Sequence, residues 1–177
     1  TYLEMERVAP YSKKLSAPYR LDCALTYRVS HGADQSAAPT ERVTREMTTD
    51  EWKTVLDKAW QAGIPHVIFT GGEPTLRDDL PELIAHTEKT GLVSGLLTDG
   101  LKFADKKYVA DVLEKGLDHI MLLSDDGNRD FWKALKNLVA ANIAVTVHVT
   151  LTKENFKQAG KTLEKLAGEG VPAVSLS

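Results

Sequence analysis

The stretch Gly71-Gly72-Glu73-Pro74 is the part of the chain whose residue types and spacing best suit ligand chemistry. Two adjacent glycines let a backbone turn sharply and approach a bound group without Cβ interference. The carboxylate that follows is expected at the rim of the turn, where it can pair with a cation, and Pro74 then directs the chain away. Taken by itself, the tetrapeptide reads equally well as a plain connection between two elements. Asp99-Gly100 is an ordinary turn signal. Asp125-Asp126-Gly127 has the acidic groups for a divalent cation but not the full spacing of a calcium loop, so solvated helix caps are the simpler reading. Among the five histidines, His66 and His119 open strands, His86 lies in a helix and His31 in a loop. His148 shares the polar face of an alternating strand with Thr146 and Thr150, opposite Val145, Val147, Val149 and Leu151. Together Glu73, Asp99, Asp125 and His148 are the acid–base candidates. No Ser-His-Asp order, phosphate loop or HExxH motif stands out. Cys23, the single cysteine, falls mid-strand and reads as a small buried hydrophobe. It excludes an intrachain disulfide and any cysteine-rich metal site.

The elements that must position these residues follow a repeating grammar. Thr48 with Glu51 has capping-box spacing, and Trp52, Val55, Leu56, Ala59 and Trp60 then mark one helical face that Gly63 and Pro65 close. The run 66–70 reads as a strand. Asp79 with Glu82 opens a second helix with Leu80, Leu83 and Ile84 inward, ended by Gly91, and 92–98 is the next strand. Tyr108, Val109, Val112 and Leu113 face inward on a third helix, followed by a strand over 119–124. Asn128 caps a fourth helix marked by Phe131, Trp132, Leu135, Leu138 and Val139, and a strand spans 144–151. A helix around Phe156, Leu163 and Leu166 precedes a last strand over 171–176, while 19–28 supplies a first strand upstream. Strand starts recur about every 25–28 residues, the size of a βα unit in a parallel sheet. With right-handed crossovers the simplest closure is an α/β partial TIM-like (β/α)6 barrel, stopping after the sixth strand; a flat doubly wound sheet is the alternative. In either fold the ligand side is the carboxyl end of the strands, where Gly71-Gly72-Glu73, Thr98, Asp99, Ser124 and Asp125 fall.

The chain of 177 residues suits one domain, with residues 1–18 as an N-terminal extension and an aperiodic loop over 29–47. Hydrophobic residues make up 42% and charged residues 27%, as in an ordinary soluble globular protein, so a cytoplasmic location is expected. No apolar run approaches the roughly 20 residues of a membrane span. A net charge of −3, with no basic stripe, argues against a nucleic-acid partner.

Phe69-Thr70-Gly71-Gly72-Glu73-Pro74-Thr75-Leu76-Arg77, with Asp79-Leu80 following, resembles the radical S-adenosylmethionine (SAM) superfamily, in particular the branch of the molybdenum-cofactor cyclase and the peptide-maturing enzymes. Leu25-Thr26-Tyr27-Arg28, Leu97-Thr98-Asp99-Gly100, the run from Met121 to Gly127 and the run from Val147 to Asn155 resemble other stretches of that family in the same order. The resemblance implies SAM as the ligand, held by Gly71, Gly72 and Glu73, with Thr98 and Ser124 near its ribose. It also implies a Cys-x3-Cys-x2-Cys loop holding a four-iron cluster. Those positions are Val29, Ala33 and Ser36 here, so an iron–sulfur cluster is not expected. Without it the expectation is a non-catalytic domain. Such a domain would serve as a SAM or nucleoside sensor, or as the partner of another protein or of a second copy. The alternatives are cluster-independent chemistry at the barrel mouth and a pure interaction module.

Overall fold

The computed structural model describes residues 17–30 and 45–177, so the expectations placed on residues 1–16, His31, Ala33 and Ser36 lie outside the described residues. Six strands alternate with five helices: β1 (Arg20–Thr26), α1 (Thr49–Gln61), β2 (His66–Gly71), α2 (Leu80–Thr90), β3 (Val93–Thr98), α3 (Lys106–Glu114), β4 (His119–Leu123), α4 (Arg129–Ala140), β5 (Ala144–Val149), α5 (Ala159–Gly168) and β6 (Ala173–Leu176). All pairings are parallel and the strands lie side by side in chain order. That order decides between the two architectures. A doubly wound sheet reverses its strand order at a switch point. Here there is no reversal, so right-handed crossovers put every helix on the same side. The result is a partial TIM-like α/β barrel whose β1 and β6 stay unpaired with each other.

Alternation along the strands sorts the side chains onto two faces. Val67, Phe69, Ile120, Leu122, Val145 and Val147 are buried beneath the helices, where they meet Leu56, Leu83, Ile84, Leu135 and Leu138 in one core. The other face, toward the barrel interior, carries His66, Thr70, Met121, Leu123 and His148, all at least partly open to solvent.

The capping box on α1 is present in full. Thr48 Oγ1 accepts from Glu51 N at 3.3 Å, and the Glu51 carboxylate accepts from Thr48 N at 2.8 Å. Losing that cap in Thr48→Ala is expected to cost about 1 kcal/mol. Thermal denaturation should record it as a midpoint lower by about 2–4 °C. Asn128 likewise caps α4, accepting from Asp130 N at 2.9 Å.

Three local readings are corrected. Asp79 occupies the N-cap position of α2 but makes no capping hydrogen bond, because its carboxylate is taken by Arg77 and Thr49. Trp60 is 51% exposed: eight residues after Trp52 it has rotated off the core stripe, and its ring lies over Gly91. Phe156 is 69% exposed and precedes α5, whose buried contacts come from Thr162 and Leu166.

Candidate active site at the barrel mouth

The carboxyl end of β2 is built by backbone packing against the chain leaving β1. A register shift between Ala24 and Thr26 brings Thr26 opposite Gly71, the kind of bulge that re-aims a strand end. Gly72 N then donates to Thr26 O, and Glu73 N to Arg28 O, both at 2.7 Å. A Cβ on Gly71, whose φ is +127°, would stand 2.2 Å from Thr26 O; one on Gly72 would stand 2.1 Å from Arg28 O. Both positions therefore require glycine for the protein's own chain. The glycine pair pins the segment from Thr26 to Arg28 at the end of β1.

Glu73 does not project into the mouth as expected from the sequence. Its side chain is 2% exposed and turns inward, where three donors meet it. Oε1 accepts from Thr75 N at 2.9 Å and from Thr98 Oγ1 at 2.8 Å, and Oε2 accepts from Asp99 N at 2.8 Å. Burial, and next the Asp99 carboxylate, raise its pKa above the ordinary carboxylate value although hydrogen bonds from Thr75 and from the Asp99 backbone pull it back. Thr98 is equally internal: its hydroxyl donates to Glu73 and accepts from Gly100 N at 3.0 Å. The side chains of Glu73 and Thr98 thus bond to one another and to the neighbouring backbone.

A second network was invisible in the sequence. The Arg77 guanidinium is 7% exposed and grips Asp79 as a fork, Nε to Oδ1 at 2.8 Å and Nη2 to Oδ2 at 2.6 Å. Its Nη1 donates to Leu25 O at 3.2 Å and Met47 O at 3.1 Å, with the Glu46 carboxylate at 3.6 Å. Glu46 in turn accepts from Thr26 Oγ1. Thus Arg77 ties the end of β1 to the segment just before α1. The only sequence signal was Arg77 lying two residues before Asp79.

The remaining candidates are scattered around the mouth. Ser124 and Asp125 line a cavity of about 130 Å³ with Thr150 and Asn155 at the ends of β4 and β5. Ala24, Tyr27, Val29, Thr70, Gly71 and Gly72 line an apolar hollow of about 440 Å³ at the ends of β1 and β2. Asp99 is occupied locally, accepting from Leu101 N at 3.0 Å. His148 faces β6, with Nδ1 3.2 Å from Ser175 Oγ and Nε2 3.1 Å from Ser177 Oγ. Asp126 accepts from Thr162 Oγ1 at 2.6 Å, and the described residues contain no group of three or more metal-ligating side chains. Acid–base candidates therefore do not converge on one point.

A model of the radical SAM superfamily matches residues 23–176. The chain belongs to the radical SAM superfamily. Curated relatives include the PqqA peptide cyclase of Streptomyces rochei, 26% identical over 178 residues, which cover 92% of this chain and 49% of that protein. The PqqA peptide cyclase of Bradyrhizobium diazoefficiens is 31% identical over 120 residues, covering 67% of this chain and 31% of that one. This radical SAM chain thus spans about half the length of its curated relatives, or less. Among solved structures, Streptococcus suis SuiB bound to the precursor peptide SuiA superposes with a TM-score of 0.73 at 17% identity, over 92% of this chain and 39% of that chain. No helix among the described residues is long and apolar enough to cross a membrane.

Of the three positions where the family resemblance places cluster thiolates, Val29 alone lies among the described residues. Val29 has no donor atom, and it lines the apolar hollow where the first thiolate would stand. Cys23 is 2% exposed within the core, and burial, with Asp22 second, pushes its thiol up to about 12.

Proposed function

We propose that this chain is a radical SAM domain without cluster-dependent chemistry, whose mouth takes SAM or a related nucleoside as a sensor or as the partner subunit of an active protein. The observation that carries the reading is the apolar hollow around Val29 beside an intact Gly71-Gly72-Glu73 strip. The residues of the mouth suit an amphiphilic nucleoside. Ser124 and Asp125 offer hydroxyl and carboxylate partners for ribose, and the hollow between β1 and β2 offers apolar surface. The cluster-independent enzyme is the weaker reading, because Glu73, Asp99 and His148 are each engaged in internal hydrogen bonds. A single domain with a loop over 29–47 completes the proposal. Since the relatives named above are PqqA peptide cyclases and SuiB was solved with a precursor peptide, a peptide or protein is the partner class to test.

The experiment is anaerobic reconstitution with iron and sulfide, followed by an iron assay and measurement of 5′-deoxyadenosine from SAM. The expected result is substoichiometric iron and no cleavage. Calorimetric titration with SAM should show binding that weakens about 2–10-fold in Ser124→Ala, the loss of one hydrogen bond. Stoichiometric iron with SAM cleavage would overturn the proposal. Absence of any SAM binding would leave only the interaction module.

A further inference from the structure

The amino ends of the strands, opposite the mouth, hold a contact that the site does not use. His66 opens β2 and His119 opens β4, with β3 between them. On β3 the intervening residue is Gly95, in register with Ile68 on one side and His119 on the other. A Cβ at Gly95 would stand 2.3 Å from His119 Cε1 and 2.5 Å from His119 Nε2. The imidazole can lie across β3 only because that side chain is missing.

With the space open, the two Nε2 atoms come within 2.8 Å, and the ring centroids are 5.0 Å apart. The centroid separation exceeds the nitrogen separation by about the reach of the two rings. The nitrogens therefore aim at each other nearly along one line, as in a hydrogen bond, rather than converging on a third centre. One ring must donate and the other accept, so the two carry opposite tautomers.

The geometry assigns His66 and His119 as a proton-sharing site that bridges β2 to β4 over Gly95 and locks the amino end of the barrel at neutral pH. The neutral pair holds one proton between the Nε2 atoms. It can take one more at a ring Nδ1 and keep the bridge; a second would set N–H against N–H. The surroundings oppose charging. From β1, Arg20 and Asp22 face the pair but are ion-paired with each other at 2.8 Å. Asp118, just before β4, has its carboxylate engaged by Ser94 N at 2.7 Å. β3 and β5 add only uncharged Val93, Gly95 and Ala144 in register. Burial first, then Arg20 for His66 and the neighbouring ring for His119, hold both imidazoles below their ordinary value.

The sign follows from linkage. Imidazoles depressed in the fold contribute stability that is present above their unfolded value near 6.5 and is lost as pH falls toward the lowered one. The unfolded chain takes two protons where the bridge admits one at most. The folded-to-unfolded ratio should therefore fall about tenfold per pH unit for each proton excluded. β2 and β4 continue from this bridge into the Gly71-Gly72-Glu73 strip and Ser124, so opening it loosens both strands that border the mouth. The inference does not depend on what the mouth binds.

The test is long-range ¹H–¹⁵N NMR of the histidine rings from pH 8 to 5, with urea denaturation over the same range. Opposite tautomers for His66 and His119 at pH 8 are expected. So is a loss of stability below about 6.5 that is reduced in His66→Gln/His119→Gln. The same tautomer in both rings would overturn the proposal, as would an unchanged acid dependence in the double variant. Should that variant fail to fold, the wild-type tautomers decide. A midpoint raised by Zn²⁺ or Ni²⁺ in wild type alone would also overturn it, in favour of a metal site.

Discussion

Glu73→Ala is expected to unfold in urea at a markedly lower midpoint than wild type, with a loss of about 3–5 kcal/mol. The carboxylate accepts from Thr75 N, Thr98 Oγ1 and Asp99 N, and its side chain is almost wholly buried. Truncation leaves three donors without a partner, each costing about 1–3 kcal/mol less whatever water recovers. Glu73→Gln should lose less, about 1–2 kcal/mol, because one amide oxygen still serves two donors while the amide NH2 meets the third head on. The two variants also separate by pH. Since Glu73 is raised in the fold, its contribution is fully present below the ordinary value of 4.5 and is lost as pH rises through the raised one. Wild type should carry that decline and Glu73→Gln should not. A loss below 1 kcal/mol in Glu73→Ala would mean the carboxylate is free for a ligand after all. The consequence for function is practical: Glu73→Ala confounds loss of binding with loss of fold, so Ser124→Ala is the cleaner probe of the mouth.

The same residue marks where sequence reasoning runs out. Alternating apolar runs, helix caps and spacing made the six strands and five helices legible, because each depends on neighbours within a few residues. Thr48 with Glu51 and Asn128 with Asp130 are such local cases. Glycines at 71 and 72 were legible as a close approach, but not what approaches; the neighbour is Thr26–Arg28 of the protein itself. Glu73 was read as facing outward because its acceptors' partners lie on the end of β3, 25 and 26 residues on. His66 and His119 looked like two unrelated strand starts, 53 residues apart. Only the register that places Gly95 between them makes a pair. Side-chain direction at strand ends is set by the neighbouring strand, and a period-2 pattern does not carry it.

Arg77→Met should lose about 3–5 kcal/mol and, unlike Glu73→Ala, should loosen the barrel mouth on one side only. The guanidinium serves the Asp79 carboxylate, Leu25 O and Met47 O, and stands near Glu46. Removing one member of a buried pair leaves the other charge uncompensated, which costs more than the pair contributed. Asp79 keeps its bond from Thr49 Oγ1, which places the expected loss toward the lower end. In the double variant Arg77→Met/Asp79→Asn the stranded charge is gone, so the loss should be smaller than the sum of the singles. Arg77→Lys should fall between, since an ammonium cannot reproduce the fork. The acid side gives a second reading. Burial acts to raise Asp79, yet the hydrogen bonds from Arg77 and Thr49 and the Arg77 charge hold it below its ordinary 3.8. Its contribution is present above that value and is lost as pH falls through the lowered one. In Arg77→Met that loss should begin at higher pH. Amide exchange locates the effect: protection should drop at Arg28 and in the first turn of α1, and persist at Ser124. Uniform loss across the sheet would mean that Arg77 supports the whole core and does not act by tying the end of β1 to the segment before α1. Protection lost only around the mouth would make Arg77 the residue that keeps its shape.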